Sequence, residues 1–69
     1  MTLHISDEER EKMRDELYAR YKAEGLSDRD AYIMASAGIN PRCHAAMAGK
    51  FRISMKKVNE IISSYEPLS

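Results

Sequence analysis

Apolar residues recur every three or four positions in the first third of the chain, which is the spacing of one face of an α-helix. This stripe consists of Met13, Leu17, Tyr18 and Tyr21. A capping-box pattern that starts at Ser6 and a glycine at position 25 bound a predicted helix over residues 7–24. The opposite face carries charges of both signs, so we expect it to face water.

A second capping pattern starts at Ser27 and is followed by residues that are apolar almost all round a helix. This pattern predicts a helix over residues 28–37, which Gly38 would close. A helix that is apolar on every side is typical of the centre of a small bundle. We therefore expect the other helices to pack around this one.

Two further helices are predicted in the second half of the chain. Asn40 followed by Pro41 is a common helix start, so a third helix should run from Pro41 to about Lys50. Ser54 caps a fourth helix, and Pro67 ends it. The stripe that this helix should bury consists of Val58, Ile61, Ile62 and Tyr65.

No strand-like alternation, internal repeat or long linker interrupts these segments. The sequence thus predicts an all-α, four-helix bundle that forms a single domain over residues 1–69. Residues 27–66 would form a three-helix unit, and the amphipathic segment 6–25 would cover its core or form a dimer. Because a chain of 69 residues buries little surface on folding, oligomerisation is a common remedy at this size.

The segment from Met47 to Ile62 meets the steric demands of a helix-turn-helix. It has a small residue at the helix crossing, apolar residues before and in the turn, a capping residue, and two apolar residues three apart. These are Ala48, Phe51, Ile53, Ser54, Val58 and Ile61. Over residues 44–65 the pattern resembles the helix-turn-helix of many bacterial and phage regulators, recombinases and sigma-factor-like domains. Arg52 occupies a turn position that is often glycine, so we expect an unusual, left-handed backbone there, at a cost of about 1 kcal/mol.

The net charge of zero conceals an uneven distribution. Residues 1–30 contain nine acidic and six basic side chains. Residues 31–59 contain no acidic side chain, and the basic ones are Arg42, Lys50, Arg52, Lys56 and Lys57. Such a local basic surface suits nucleic acid, although an ordinary solvated face would have the same composition.

The resemblance implies that the helix starting at Ser54 enters the major groove of DNA. The side chains that we expect to contact bases are Met55, Lys56, Asn59 and Glu60. Those that we expect to contact phosphates are Arg42, His44, Lys50, Arg52, Ser54 and Lys57. Each also has a plainer interpretation as a solvent-exposed residue, and Glu60 would then pair with a lysine of its own helix.

These features predict a sequence-specific DNA-binding protein, a small phage or plasmid regulator of transcription that acts as a homodimer on double-stranded DNA. The alternative is a small helical module that binds another protein through its N-terminal helix, such as a phage-encoded inhibitor or an antitoxin-like protein. The candidate dimer interface is the stripe of Met13, Leu17, Tyr18 and Tyr21. With no signal-peptide pattern and no long apolar run, we expect a cytoplasmic protein without a membrane partner.

Catalysis and metal binding find little support in the sequence. Cys43 and His44 are neighbours, so on a helix their side chains diverge by about 100 degrees and do not pair simply. A zinc site needs four ligands at set spacings, and the only other histidine is His4. We therefore expect neither enzymatic activity nor a metal or other cofactor.

Overall fold

The computed structural model describes residues 6–40 and 42–67. These residues form four helices: α1 (Asp7–Ala23), α2 (Asp28–Ile39), α3 (His44–Phe51) and α4 (Met55–Ser64). The described part of the chain contains no strand, so the predicted all-α, four-helix architecture is confirmed. Within the same residues, no helix has both the length and the apolar character that crossing a bilayer requires.

The starts of α1, α2 and α4 agree with the sequence-based prediction. Each is preceded by a serine in extended backbone conformation, whose hydroxyl accepts a hydrogen bond from the backbone N–H three residues later. These bonds join Ser6 to Glu9 at 3.2 Å, Ser27 to Asp30 at 3.2 Å, and Ser54 to Lys57 at 3.0 Å. Each cap satisfies a backbone N–H group that has no partner within the helix.

The predicted start of the third helix is wrong. Helix α3 begins at His44 and not at Pro41, which lies outside the described residues. The side chain of Asn40 does not cap a helix here, because it accepts a hydrogen bond at 3.0 Å from the N–H of Arg42 and closes a short turn. Cys43 precedes the helix and provides no side-chain cap.

The predicted end of the second helix is also wrong. Helix α2 continues through Gly38 to Ile39, and Asn40 ends it in an extended conformation. Gly38 is instead a packing position, because a Cβ atom there would lie 3.2 Å from Cδ1 of Leu17 in α1. Glycine inside a helix costs about 1 kcal/mol relative to alanine, but here it lets two helices approach closely.

Helix α2 lies between two hydrophobic clusters, as its apolar character predicted. The first cluster, on the α1 side, has as its buried members Tyr21, Leu26, Ala31, Met34 and Ala35. The second cluster, which α3 and α4 cover, has as its buried members Ile33, Cys43, Met47, Val58 and Ile61. Because both clusters draw on α2, this helix joins the N-terminal and C-terminal halves of the core.

The apolar stripe of α1 packs mainly on the protein's own core. Tyr21 is only 2% exposed and belongs to the first cluster. Leu17 and Tyr18 are half-buried against the same cluster, whereas Met13 is 43% exposed. The stripe therefore covers the core, and Met13 is the member that remains open to a partner.

Candidate nucleic-acid interface

Helices α3 and α4 are joined by a tight turn at Arg52, Ile53 and Ser54. Arg52 has φ 55° and ψ 45°, which is the left-handed conformation expected from the sequence. The N–H of Ile53 donates to the carbonyl of Ala48 at 3.1 Å, so α3 ends in the hydrogen-bond pattern of a Schellman motif. The short connection requires positive φ at this one residue, a conformation that a Cβ atom disfavours.

The residues that should hold the two helices together do meet in one place. Val58 and Ile61 of α4 are buried in the second cluster. Ala48, Phe51 and Ile53 pack against the same cluster as partly buried side chains. The position of α4 relative to α3 is therefore set by shared core contacts and not by the turn alone.

The outward face of α4 is open to solvent. Because Val58 and Ile61 point into the core, the residues on the other side of the helix face away from it. All four predicted base-contacting residues are exposed: Met55, at 50%, Lys56, Asn59 and Glu60. Ser63 is exposed as well and lies one turn beyond Asn59, a helical spacing that would have placed it in the predicted set.

Positive charge is concentrated where α4 begins. Its first turn contains Lys56 and Lys57 and no acidic residue. The backbone N–H groups at a helix N-terminus add a partial positive charge of roughly +0.5. The cap formed by Ser54 satisfies one N–H group and contributes no formal negative charge. The arrangement therefore favours an anion beside this end of the helix.

The predicted phosphate-contacting residues fall into two groups. Arg42, Arg52, Ser54 and Lys57 are exposed, and His44 is half-buried at the start of α3. Lys50 is exposed too, but its ammonium group lies over two aromatic rings, 5.0 Å from the ring centre of Tyr32 and 6.0 Å from that of Phe51. Lys50 thus faces an aromatic surface that the sequence did not predict.

The neighbouring cysteine is part of the core. Cys43 is buried in the second cluster, and its burial raises the pKa of the thiol. Within residues 6–40 and 42–67 there is no group of three histidine, cysteine, aspartate or glutamate side chains that could hold a metal ion. His4, the other histidine considered for a metal site, lies outside the described residues.

Comparison of the chain with protein-family models, with curated proteins and with solved structures finds no match. The candidate interface therefore rests on its own geometry. Its features are a helix held by core contacts, an exposed polar face and a basic N-terminus without an acidic residue in its first turn.

Proposed function

We propose that this protein binds double-stranded DNA and regulates transcription, with α4 lying in the major groove. The observation that carries the proposal is the outward face of α4, which is exposed, basic at its start and attached to the core by its opposite side. Helix α4 has 10 residues and is therefore about 15 Å long. The major groove, about 12 Å wide, admits a helix of this kind.

The side chains on this face match the hydrogen-bonding groups of base edges. Asn59 carries a donor and an acceptor, as paired hydrogen bonds to adenine require, and Lys56 suits the acceptors of guanine. Glu60 would accept from the amino group of cytosine, and Met55 would contact the methyl group of thymine. We therefore assign sequence recognition to these four residues.

The residues around this face are assigned to the DNA backbone. Arg52 and Lys57 supply exposed positive charge on either side of the Ser54 cap, while Arg42 and His44 lie near the start of α3. Such contacts orient a protein on the duplex and carry no sequence information themselves. Lys50 is the weakest member of the predicted set, because its ammonium group already contacts the Tyr32 ring.

The proposal includes a pair of copies that read two half-sites of an operator, one helical turn apart, in the cytoplasm. Met13 supports a role for α1 in this pairing, because it is a large apolar side chain that remains 43% exposed. Sedimentation of the protein with and without operator DNA measures the number of copies. A single copy on a full operator would remove dimerisation from the proposal.

Salt-dependent binding tests the DNA proposal directly. We expect the affinity for a mixed-sequence duplex, measured by fluorescence anisotropy, to fall steeply as salt rises, because bound lysines displace counterions. The double variant Arg52→Ala/Lys57→Ala should bind more weakly and lower the slope of log affinity against log salt by about 0.9 per lost phosphate contact. The matched double variant Arg10→Ala/Lys12→Ala removes the same charge from α1 and should bind like the unaltered protein.

Two results would overturn this proposal: no binding at low salt, or an equal loss of affinity in the α1 control.

Sequence-specific recognition is tested in a second experiment, in which a preferred site is first selected from random duplexes. On that site Asn59→Ala should weaken binding by about tenfold, the effect of one paired base contact of about 1.4 kcal/mol, and should leave binding to random duplex unchanged. Circular dichroism checks that helix content is the same in every variant.

A further inference from the structure

A groove of about 410 Å³ is lined by residues of α1, α2 and α3 and by none of α4. Its wall is aromatic, because the Tyr32 ring packs edge-on against two others. The ring centres are 6.5 Å apart for Tyr18 and Tyr32, and 5.8 Å apart for Tyr32 and Phe51. The volume falls within the range of ligand pockets, which is about 300–1,000 Å³.

Two cationic side chains lie over the same ring of this wall. The guanidinium carbon of Arg14 is 5.2 Å from the ring centre of Tyr32, and Nζ of Lys50 is 5.0 Å from it. Neither cation forms an ion pair within residues 6–40 and 42–67. In addition, Nε of Arg14 is buried and has no hydrogen-bond acceptor in this part of the chain. A buried donor of this kind is unusual in a folded protein, so the Arg14 guanidinium is the less satisfied of the charged groups at this wall.

The other charged groups at the groove limit which ligand fits. Asp28 is already engaged, with Lys22 at 2.6 Å and with the Tyr18 hydroxyl at 3.2 Å, and Arg29 pairs with Asp30 at 3.1 Å. Asp15 remains on the rim as a negative charge. Because Asp15 adds a negative charge beside the two cations, the groove favours a ligand with a single acidic group over a polyanion such as a nucleic acid.

We propose that this groove binds a segment of a partner protein that presents an aromatic side chain beside one carboxylate. The aromatic side chain would pack against Tyr18, Tyr32 and Phe51, and the carboxylate would accept hydrogen bonds from Arg14 and Lys50. This gives the predicted protein partner of the N-terminal helix a defined site. It does not depend on DNA binding by α4, since no residue of α4 lines the groove and Lys50 is the one residue that both proposals name.

Matched peptides test the proposal. The full chain, labelled with ¹⁵N, is titrated at low salt with N-acetyl-Phe-Glu-amide and with N-acetyl-Phe-Gln-amide, and backbone amide shifts are followed by NMR. We expect the shifts to cluster at the groove residues of α1, α2 and α3. The glutamate peptide should bind about tenfold more tightly, because hydrogen bonds to a charged group are stronger than neutral ones.

Variants locate the site. Lys50→Gln and Arg14→Gln should each reduce the preference for the glutamate peptide to about threefold or less, while the glutamine peptide binds as before. Lys50 is exposed, so Lys50→Gln keeps the test valid even if Arg14→Gln fails to fold. Lys57→Gln removes a charge from α4 and should change neither affinity.

Three results would overturn the proposal: equal affinity for the two peptides, shifts that cluster outside the groove, or no shifts up to the solubility limit of the peptides. A mixed-sequence duplex serves as a further probe and should shift the amides of α4 but not those of the groove. If DNA also shifts the groove amides, the groove belongs to the DNA interface and the assignment to a protein segment is wrong. Absence of any DNA effect would leave the peptide result intact.

Discussion

Two of the helix connections share a positive-φ residue and the same hydrogen-bond pattern. Gly25, after α1, and Arg52, after α3, both have positive φ, at 101° and 55°. In each case the N–H of the next residue donates to a carbonyl five residues earlier, and a serine then caps the following helix. The bonds run from Leu26 to Tyr21 at 3.3 Å and from Ile53 to Ala48 at 3.1 Å. Glycine and arginine thus support one kind of turn at different conformational cost.

The α1–α2 and α3–α4 connections differ in the charged side chains at the start of the helix that follows. The first turn of α2 is acidic, and its carboxylates have partners within the chain. Asp28 accepts from Lys22 and Tyr18, while Asp30 accepts from Arg29 and, at 2.7 Å, from the Tyr65 hydroxyl. The negative charge also suits the positive end of the helix. The negative charges at the start of α2 are therefore compensated by other side chains of the same chain.

The first turn of α4 lacks this compensation. Met55, Lys56 and Lys57 are exposed there, and no acidic residue accompanies them. Two lysines beside the positive end of a helix oppose its dipole, so this start is electrostatically unfavourable until an anion approaches. The same kind of turn thus leads to a helix start with compensated charges at α2 and to an exposed, basic helix start without an acidic residue at α4.

The largest expected difference concerns the apolar residue within each turn. Leu26 is 9% exposed in the first cluster, whereas Ile53 is only half-buried. We expect Leu26→Ala to lower the free energy of unfolding by about 2–3 kcal/mol and Ile53→Ala by about 1 kcal/mol, because the cost follows buried volume. Urea denaturation measures both. A larger loss for Ile53→Ala would show that the α3–α4 turn contributes more to the core than the α1–α2 turn.

A smaller effect is expected at the left-handed residues. Gly25→Ala should destabilise the protein by about 1–2 kcal/mol, since a Cβ atom is disfavoured at positive φ. Arg52→Gly should stabilise it by up to about 1 kcal/mol by removing that strain. Thermal denaturation resolves these changes, because 1 kcal/mol shifts the melting temperature by about 4–8 °C at this size. Arg52→Ala, which keeps a Cβ atom, is the control and should leave the melting temperature almost unchanged.

The smallest expected effect is the pH dependence that Asp28 contributes. Hydrogen bonds from Lys22 and Tyr18 hold the pKa of Asp28 below its ordinary value of 3.8. The unfolded chain therefore binds this proton more readily, and the stabilisation is present above pH 3.8 and lost as pH falls through the folded-state pKa. Asp28→Asn should flatten the loss of stability on acidification, as followed by urea denaturation from pH 6 to about pH 3.

Lys56→Gln, in the first turn of α4, is the control for the acid dependence expected of Asp28→Asn. Lys56 forms no ion pair with a carboxylate in the part of the chain that the structure describes, so its removal should leave the acid dependence as it is. An equal flattening in both variants would mean that Lys56 interacts with an acidic group, and the α4 start would then not be open. An unchanged slope in Asp28→Asn would contradict the role given to the Lys22 and Tyr18 hydrogen bonds.

Much of the fold followed from signals that act over a few residues. The serine caps and the apolar spacing predicted the starts of α1, α2 and α4, and the position of Arg52 predicted its left-handed backbone. Gly38 shows where such signals fail. A glycine near a helix end looks the same in sequence whether it terminates the helix or makes room for Leu17. That choice depends on a residue about twenty positions away.

The outward face of α4 was predictable because helical spacing from Val58 and Ile61 places the exposed residues. The aromatic groove was not, since Tyr18, Tyr32 and Phe51 lie on three separate helices and share no spacing. Charge alone places Lys50 among the predicted phosphate contacts. Its position over the Tyr32 ring depends on how α3 packs beside α2.

The sequence by itself determined the number and order of the helices, most of their starts, and the basic character of the second half. These properties depend on caps, spacing and charge within a turn or two of the chain, where each residue acts on close neighbours. Only the tertiary structure decided that Gly38 is a packing position, that Tyr21 belongs to the core and that three aromatic rings form one wall. Those outcomes require contacts between helices, because burial and side-chain surroundings depend on residues that are distant in sequence.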